Sequence, residues 1–117
     1  MKRKETEPAL LKKNPLQIER IRTKYLNQMD RLESKVKSNK ITIRHSYQRL
    51  SKIIRGFIGE ITNIKIENYT LTEIKNLNIP ILYQLVKEYY APEFAKEAKS
   101  DILKSIEKTR LTIEKWH

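Results

Sequence analysis

The amino-acid sequence predicts an all-α protein, a small bundle of four or five helices with a basic helix or arm at its amino-terminal end. Three observations predict this fold class. Apolar residues recur at steps of three and four over several segments, short polar breaks separate those segments, and proline or capping residues stand where several of them begin. With 38% hydrophobic and 33% charged residues among 117, the chain has enough apolar material for one modest core.

The first helix is predicted from residue 15 to about residue 37. Asn14 is a suitable N-cap, and Pro15 fits the first helical position, where its missing N–H group is not needed. An apolar stripe follows at steps of three and four, consisting of Ile18, Ile21, Tyr25, Met29, Leu32 and Val36. We expect residues 1–13 to form a disordered basic tail and residues 14–38 to form a basic amphipathic helix.

The second helix is predicted over residues 43–61, and the three polar residues 38–40 are few enough to fold it back on the first helix as an antiparallel hairpin. Its apolar stripe consists of Ile43, Tyr47, Leu50, Ile54, Phe57 and Ile61. At about 100° per residue, the opposite side carries basic residues and both glycines. That side consists of Arg44, Lys52 and Arg55, with Arg49 at its margin, and Gly56 and Gly59. Glycines beside cations would let a phosphate approach the backbone, although a solvated cationic face explains the pattern equally well.

The remaining chain is predicted to complete a helical bundle domain over residues 40–117. Residues 62–68 suit an extended connector, and Thr70 with Glu73 forms a capping box before a short helix. Pro80 begins a helix that is apolar on almost every side, as is typical of a helix central to its domain or partly covered by a partner. The last helix is predicted from Glu93 to about Trp116, with a possible split at residues 100–101.

Net charge separates the two halves of the sequence. Residues 1–59 hold 16 Lys and Arg against 5 Asp and Glu, whereas residues 60–117 hold nine of each, so the whole formal charge of +11 belongs to the first half. Such asymmetry indicates a polyanionic partner, either nucleic acid or an anionic membrane surface. We favour nucleic acid, because the basic helices lack the bulky Trp and Phe that membrane anchors turn toward lipid.

Several classes of chemistry have no support in the sequence. There is no cysteine, so disulfides and thiolate metal sites are excluded, and the two histidines, His45 and His117, lie too far apart in sequence to form a metal motif. Two glycines are too few for a phosphate-binding loop, and no serine stands in a nucleophile motif. We therefore expect no enzymatic activity, no cofactor, no metal, no small-molecule substrate and no membrane association.

The predicted function is non-enzymatic binding of DNA or RNA, mainly through the phosphate backbone, inside the cell and within a larger nucleoprotein assembly. The compartment would be the nucleus in a eukaryote and the cytoplasm or nucleoid in a prokaryote. The candidate nucleic-acid contacts are Arg44, Arg49, Lys52 and Arg55, assisted by Arg20, Arg22, Lys24, Arg31 and Lys35.

The alternative is a helical scaffold or adaptor subunit that binds partner proteins, or itself, through its apolar helices. Two adjacent tyrosines in the apolar helix after Pro80 fit the composition of protein interfaces, although core packing explains that helix as well. The candidate interface residues are Leu82, Tyr83, Val86, Tyr89 and Tyr90.

Overall fold

The computed structural model of the protein describes residues 13–90 and 98–116, and it confirms the all-α fold. Within those ranges the secondary structure is entirely helical. The five helices are α1 (Pro15–Lys37), α2 (Ile43–Thr62), α3 (Leu71–Lys75), α4 (Pro80–Tyr89) and α5 (Lys99–Lys115). The predicted disordered tail lies almost wholly outside the described residues, as does the predicted start of the last helix at Glu93.

Helices α1 and α2 form the predicted antiparallel hairpin. The Asn14 side chain accepts a hydrogen bond from the backbone N–H of Gln17 at 2.8 Å, which confirms Asn14 as the N-cap of α1. Between the helices, Asn39 adopts a left-handed conformation with φ of 57°, which asparagine tolerates better than most residues. Thr42 then caps α2 by accepting from the N–H of His45. The basic helix therefore packs on the bundle rather than projecting as an arm.

Helix α2 is the central element of the bundle, because α1, α4 and α5 all pack against it. Its predicted apolar stripe is buried except at Ile43, which is half-buried, and Ile53 and Ile58, outside that stripe, are buried as well. Phe57 lies at the middle of the core and contacts the rings of Tyr25 and Trp116 edge to face. Such burial on nearly all sides is the main source of stability expected for so small a bundle.

The connector between α2 and α3 carries one residue deep into the core. Ile66 is fully buried, and Asn63, at the C-terminus of α2, has a left-handed conformation that turns the chain. The predicted capping box of α3 is present. Thr70 Oγ1 accepts from the Glu73 backbone N–H at 3.1 Å, and the Glu73 carboxylate accepts from the Thr70 N–H at 2.8 Å.

Helix α4 is a core helix, and this corrects most of the predicted partner interface. Leu82, Val86 and Tyr89 are buried inside the chain's own core, so they are not available to a partner in this fold. Tyr83 is half-buried, and Tyr90 is the member of the predicted set that is exposed. The physical reason is that α2 and α5 cover α4 on two sides.

Helix α5 closes the bundle against α1. Ser100 and Asp101 lie in its first turn, so they do not split it within the described range. Arg110 links the two helices by donating to Asp30 at 2.6 Å and to the carboxylate of Glu33. Among the described residues, none of the helices has the length and hydrophobicity that crossing a membrane requires.

Candidate functional site

Four of the six basic side chains of α1 lie on the flank opposite its acidic side chains, whereas Arg22 and Lys37 pair with Glu19 and Glu33 on the acidic flank. Glu19, Asp30 and Glu33 lie on the flank toward α5, where Asp30 and Glu33 bind Arg110 and Glu19 pairs with Arg22. The steps between Arg20, Lys24, Arg31 and Lys35 are four, seven and four residues, which places these cations together on the other flank. The acidic residues therefore leave the second flank of α1 cationic.

The basic flank of α1 runs beside α2. Lys24 Nζ lies 2.7 Å from the Glu60 carboxylate, and the Tyr25 hydroxyl donates to the same carboxylate at 2.6 Å. These two contacts fix the level at which the antiparallel helices pair, near the middle of α1 and the end of α2. From this pairing toward the turn at Asn39, each step forward along α1 is matched by a step back along α2. Arg31 and Lys35 are therefore level with Lys52 and Arg49 of α2.

The amino-terminal half of α2 is the part of this helix that faces solvent. Arg44, His45, Gln48, Arg49 and Lys52 are all exposed there. Arg44 and Lys52 are eight residues apart, which corresponds to about 12 Å along the helix axis. Together with Arg31 and Lys35 of α1, this half of α2 gives the turn end of the hairpin a set of exposed cations. We call this set the basic surface, and it consists of Arg31, Lys35, Arg44, Arg49 and Lys52.

None of the five side chains of the basic surface has a carboxylate within 4 Å among the residues that the structure describes. Arg20 is also exposed, but it lies near the start of α1, at the far end of the hairpin from Arg44. Lys24 is exposed and paired with Glu60. Six of the nine predicted cations are therefore exposed without a described ion-pair partner, and five of those six lie together.

Arg55 corrects the predicted site, because it does not face solvent. Only 6% of the residue is exposed, and its guanidinium donates to the carbonyls of Ile66, Glu67 and Tyr69 at 3.2, 3.3 and 2.6 Å. Its Nε donates to Ser51 Oγ at 2.9 Å. Arg55 therefore holds the connector after α2 against the bundle, and phosphate has no access to it in this fold.

Arg22 is the second correction. Its Nη1 donates to the carbonyls of Ile113, Glu114 and Trp116 at 2.6, 3.0 and 3.1 Å, and its side chain is only 13% exposed. A cation at this position satisfies carbonyls that a helix leaves unpaired at its C-terminus and interacts favourably with the helix dipole. Arg22 therefore stabilises the end of α5 and is not part of the basic surface.

The two glycines of α2 also serve the fold. A Cβ on Gly56 would lie 2.8 Å from the Tyr25 hydroxyl oxygen, and a Cβ on Gly59 would lie 3.0 Å from the carbonyl of Ile64. The Cβ direction of each glycine is thus occupied by the chain itself, and the small groove that both glycines line also includes the acidic residues Glu60 and Glu67. The expectation that these positions admit a phosphate is wrong.

The titrating groups near Glu60 are shifted by their contacts. Burial raises the pKa of Glu60, but hydrogen bonds from Lys24 and Tyr25 outweigh it, so the net pKa lies below its ordinary value of 4.5. Burial, together with the hydrogen bond to Glu60, raises the pKa of the Tyr25 phenol above its ordinary value. Both shifts follow from one local cluster that joins α1 to α2.

A second exposed area is apolar. Ile81 of α4 and Leu111 of α5 are 42% and 40% exposed, and both line an open groove of about 390 Å³ that also includes Leu85 and Thr112. A neighbouring groove runs from these residues to Trp116. The alternative predicted from the sequence placed a docking segment over residues 81–90, which includes Ile81 but not Leu111, because the register between α4 and α5 that brings the two residues together is a tertiary feature.

Comparison with known proteins adds no identification, since no family model, curated protein or solved structure matches the chain. Among the described residues there is also no group of three or more acidic or histidine side chains suited to a metal ion. The basic surface is therefore the strongest candidate for a functional site on grounds of geometry and charge.

Proposed function

We propose that this protein binds nucleic acid through its basic surface, without catalysing a reaction. The observation that carries the proposal is the grouping of Arg31, Lys35, Arg44, Arg49 and Lys52 on two adjacent helices, while the acidic residues of α1 lie on its other flank. Clustered Lys and Arg side chains gain affinity for a polyanion by displacing its condensed counterions. The protein therefore acts inside the cell, where DNA and RNA are found.

The proposed contacts are to phosphates rather than to base edges. Two packed helices, each about 10 Å or more across, present a face wider than the major groove of B-form DNA, which is about 12 Å wide. The hairpin therefore lies across the sugar-phosphate backbone, which carries no sequence information directly. Affinity should depend strongly on salt and weakly on sequence.

The test compares two triple variants that lower the net charge equally. One replaces Arg44, Arg49 and Lys52 by glutamine, and the control replaces Lys75, Lys104 and Lys115, which are exposed elsewhere in the bundle. With five phosphate contacts, the wild-type slope of log K against log salt concentration is expected to be about −4.5 for duplex DNA and about −3.5 for single strands.

The two variants are expected to behave differently. The basic-surface variant should reduce the magnitude of the slope by about 2 to 3, because three phosphate contacts are removed, whereas the control variant should keep nearly the wild-type slope. Equal losses in both variants would show that total charge alone matters, and would overturn the assignment of this surface. Absence of salt-dependent binding by the wild type would overturn the function itself.

The second candidate function is binding of a partner protein, and the apolar groove at Ile81 and Leu111 is the observation that favours it. Under that proposal the cations keep the chain soluble and the groove receives an apolar side chain. A charged substitution, Leu111→Glu, would then abolish complex formation. Under the favoured proposal it should leave nucleic-acid affinity within about twofold, because it changes no cation of the basic surface.

A further inference from the structure

Tyr90 is unusual among the described aromatic residues. It is 57% exposed, whereas Tyr25, Tyr47, Phe57 and Tyr89 are buried. Its hydroxyl accepts a hydrogen bond from Nη2 of Arg55 at 3.1 Å, and its backbone N–H donates to the carbonyl of Val86 at the end of α4. The residue is thus held at its backbone and at its hydroxyl, while more than half of it remains in contact with solvent.

The contact with Arg55 places Tyr90 beside the basic surface. Arg55 follows Lys52 by three residues on α2, a rise of about 4.5 Å, and it lies on the same side of that helix as Arg44 and Lys52. The Arg55 Nε is bound to Ser51, directly before Lys52 in the chain. Through this contact Tyr90 lies on the side of α2 that carries Lys52, beyond the last cation of the basic surface on that helix.

An exposed aromatic ring beside phosphate-binding cations matches the chemistry of an unpaired base. Single-stranded nucleic acid is bound by cations that follow the backbone together with aromatic side chains on which bases stack. In a duplex the base faces are already stacked on one another, so they are not available to a protein ring. Because the Tyr90 hydroxyl is bound to Arg55, the part of Tyr90 that a ligand can contact is mainly its ring.

We propose that Tyr90 stacks on an unpaired base of a nucleic-acid strand whose phosphates lie on Lys52 and its neighbours. This inference rests on the proposed function, and it specifies the ligand as a strand with unstacked bases, from either DNA or RNA. Arg55 is then a positioning residue for the Tyr90 ring. The partner-interface role predicted for Tyr90 from the sequence becomes an alternative that the experiment separates.

The test uses Tyr90→Leu and Tyr90→Phe in the full chain. Both variants lose the hydroxyl contact with Arg55, but only the phenylalanine variant keeps an aromatic ring, so their difference isolates stacking from any structural effect of the hydroxyl. Fluorescence anisotropy would be measured with single-stranded DNA and RNA of about 12 nucleotides, within the usual site size, and with duplexes of the same length.

Tyr90→Leu is expected to weaken single-strand binding by about 5- to 150-fold relative to Tyr90→Phe, the range that loss of one stacked base gives. Duplex affinity and the salt slope should be the same in both variants, because no phosphate contact changes. Equal single-strand affinity of the two variants would overturn the role of Tyr90 while leaving the basic surface intact. If the wild type binds neither single strands nor duplexes in a salt-dependent manner, the proposed function fails together with this inference.

Discussion

Replacing Arg55 tests the claim that this cation belongs to the fold. In Arg55→Met, the carbonyl of Ile66 and the hydroxyl of Ser51 lose a donor in a buried environment, and each such loss costs about 1–3 kcal/mol. Water can replace the contacts to the carbonyls of Glu67 and Tyr69, because both residues reach the surface. Removing a buried charge regains part of its desolvation penalty.

The net loss in the free energy of unfolding is expected to be about 2–3 kcal/mol, a large part of the roughly 5–15 kcal/mol that stabilises an ordinary domain. Urea unfolding followed by the circular dichroism of the helices would measure it as a lower midpoint at an unchanged slope. Arg55→Lys should also be destabilised, because a lysine ammonium does not reproduce the fork of guanidinium donors.

Arg49→Met is the matched control, since it removes an exposed arginine from the same helix. Its stability should stay within about 0.5 kcal/mol of the wild type, as is usual for surface substitutions, while its nucleic-acid affinity falls. Stability of Arg55→Met within the same narrow range would refute the structural role that we assign to Arg55. So would an equal loss of stability in Arg49→Met.

Three further predictions concern the contacts between helices. Gly56→Ala should lower stability by about 1–2 kcal/mol despite the better helix propensity of alanine, because the added Cβ would meet the Tyr25 ring. Thermal unfolding would measure this loss as a lower melting temperature. An unchanged melting temperature would contradict the close approach of the ring to Gly56. Glu60→Gln should cost stability at neutral pH, and the difference from wild type should disappear as the pH falls below 4.5. A carboxyl whose pKa is lower in the folded than in the unfolded state stabilises the fold at pH values above the unfolded-state pKa, and this contribution is lost as the pH falls through the folded-state pKa. A difference in urea midpoint that does not change with pH would contradict this reasoning. Arg110→Met should destabilise the fold by about 1–2 kcal/mol, because its partly buried ion pairs with Asp30 and Glu33 are lost. The same substitution should cost less in a chain that already carries Asp30→Asn and Glu33→Gln. Equal costs in both backgrounds would exclude coupling between Arg110 and the two carboxylates.

The sequence was sufficient to predict most of the helices, because the relevant signals are local. Asn14 with Pro15, Thr70 with Glu73, and Pro80 each stand at a helix start that the structure contains. The apolar stripes of α1 and α2 likewise predicted which sides of these helices are buried. Such signals depend only on helical periodicity and backbone hydrogen bonding, both of which can be evaluated from neighbouring residues.

The candidate site was predictable only in part, because exposure depends on what the rest of the chain covers. Arg55 and Arg22 look like surface cations in sequence, but carbonyls from distant segments surround them. Ile53, Ile58 and the two glycines did carry a signal that the last turns of α2 are covered on most sides. A helix with glycines opposite its apolar stripe receives close packing there, and in this protein the ring of Tyr25 and the connector after α2 provide it.

The separation of charge on α1 follows in part from helical spacing, since Arg20, Lys24, Arg31 and Lys35 recur at steps of four and seven residues. Acidic and basic residues are mixed along this helix, and only its contacts with α5 show that Asp30 and Glu33 are engaged by Arg110. The same contacts leave Arg31 and Lys35 beside α2. The excess positive charge thus becomes one surface through tertiary packing.

Mapping the contact surface by NMR would show directly where nucleic acid binds on the bundle. A titration of isotope-labelled protein with a short oligonucleotide would follow every assigned backbone amide and arginine side chain at low salt. We predict that the largest shifts occur at residues 43–52 and 28–37 and at Tyr90, with residues 104–116 nearly unchanged. Shifts concentrated around Ile81, Leu111 and Trp116, or spread evenly over the lysines and arginines of the whole chain, would contradict it.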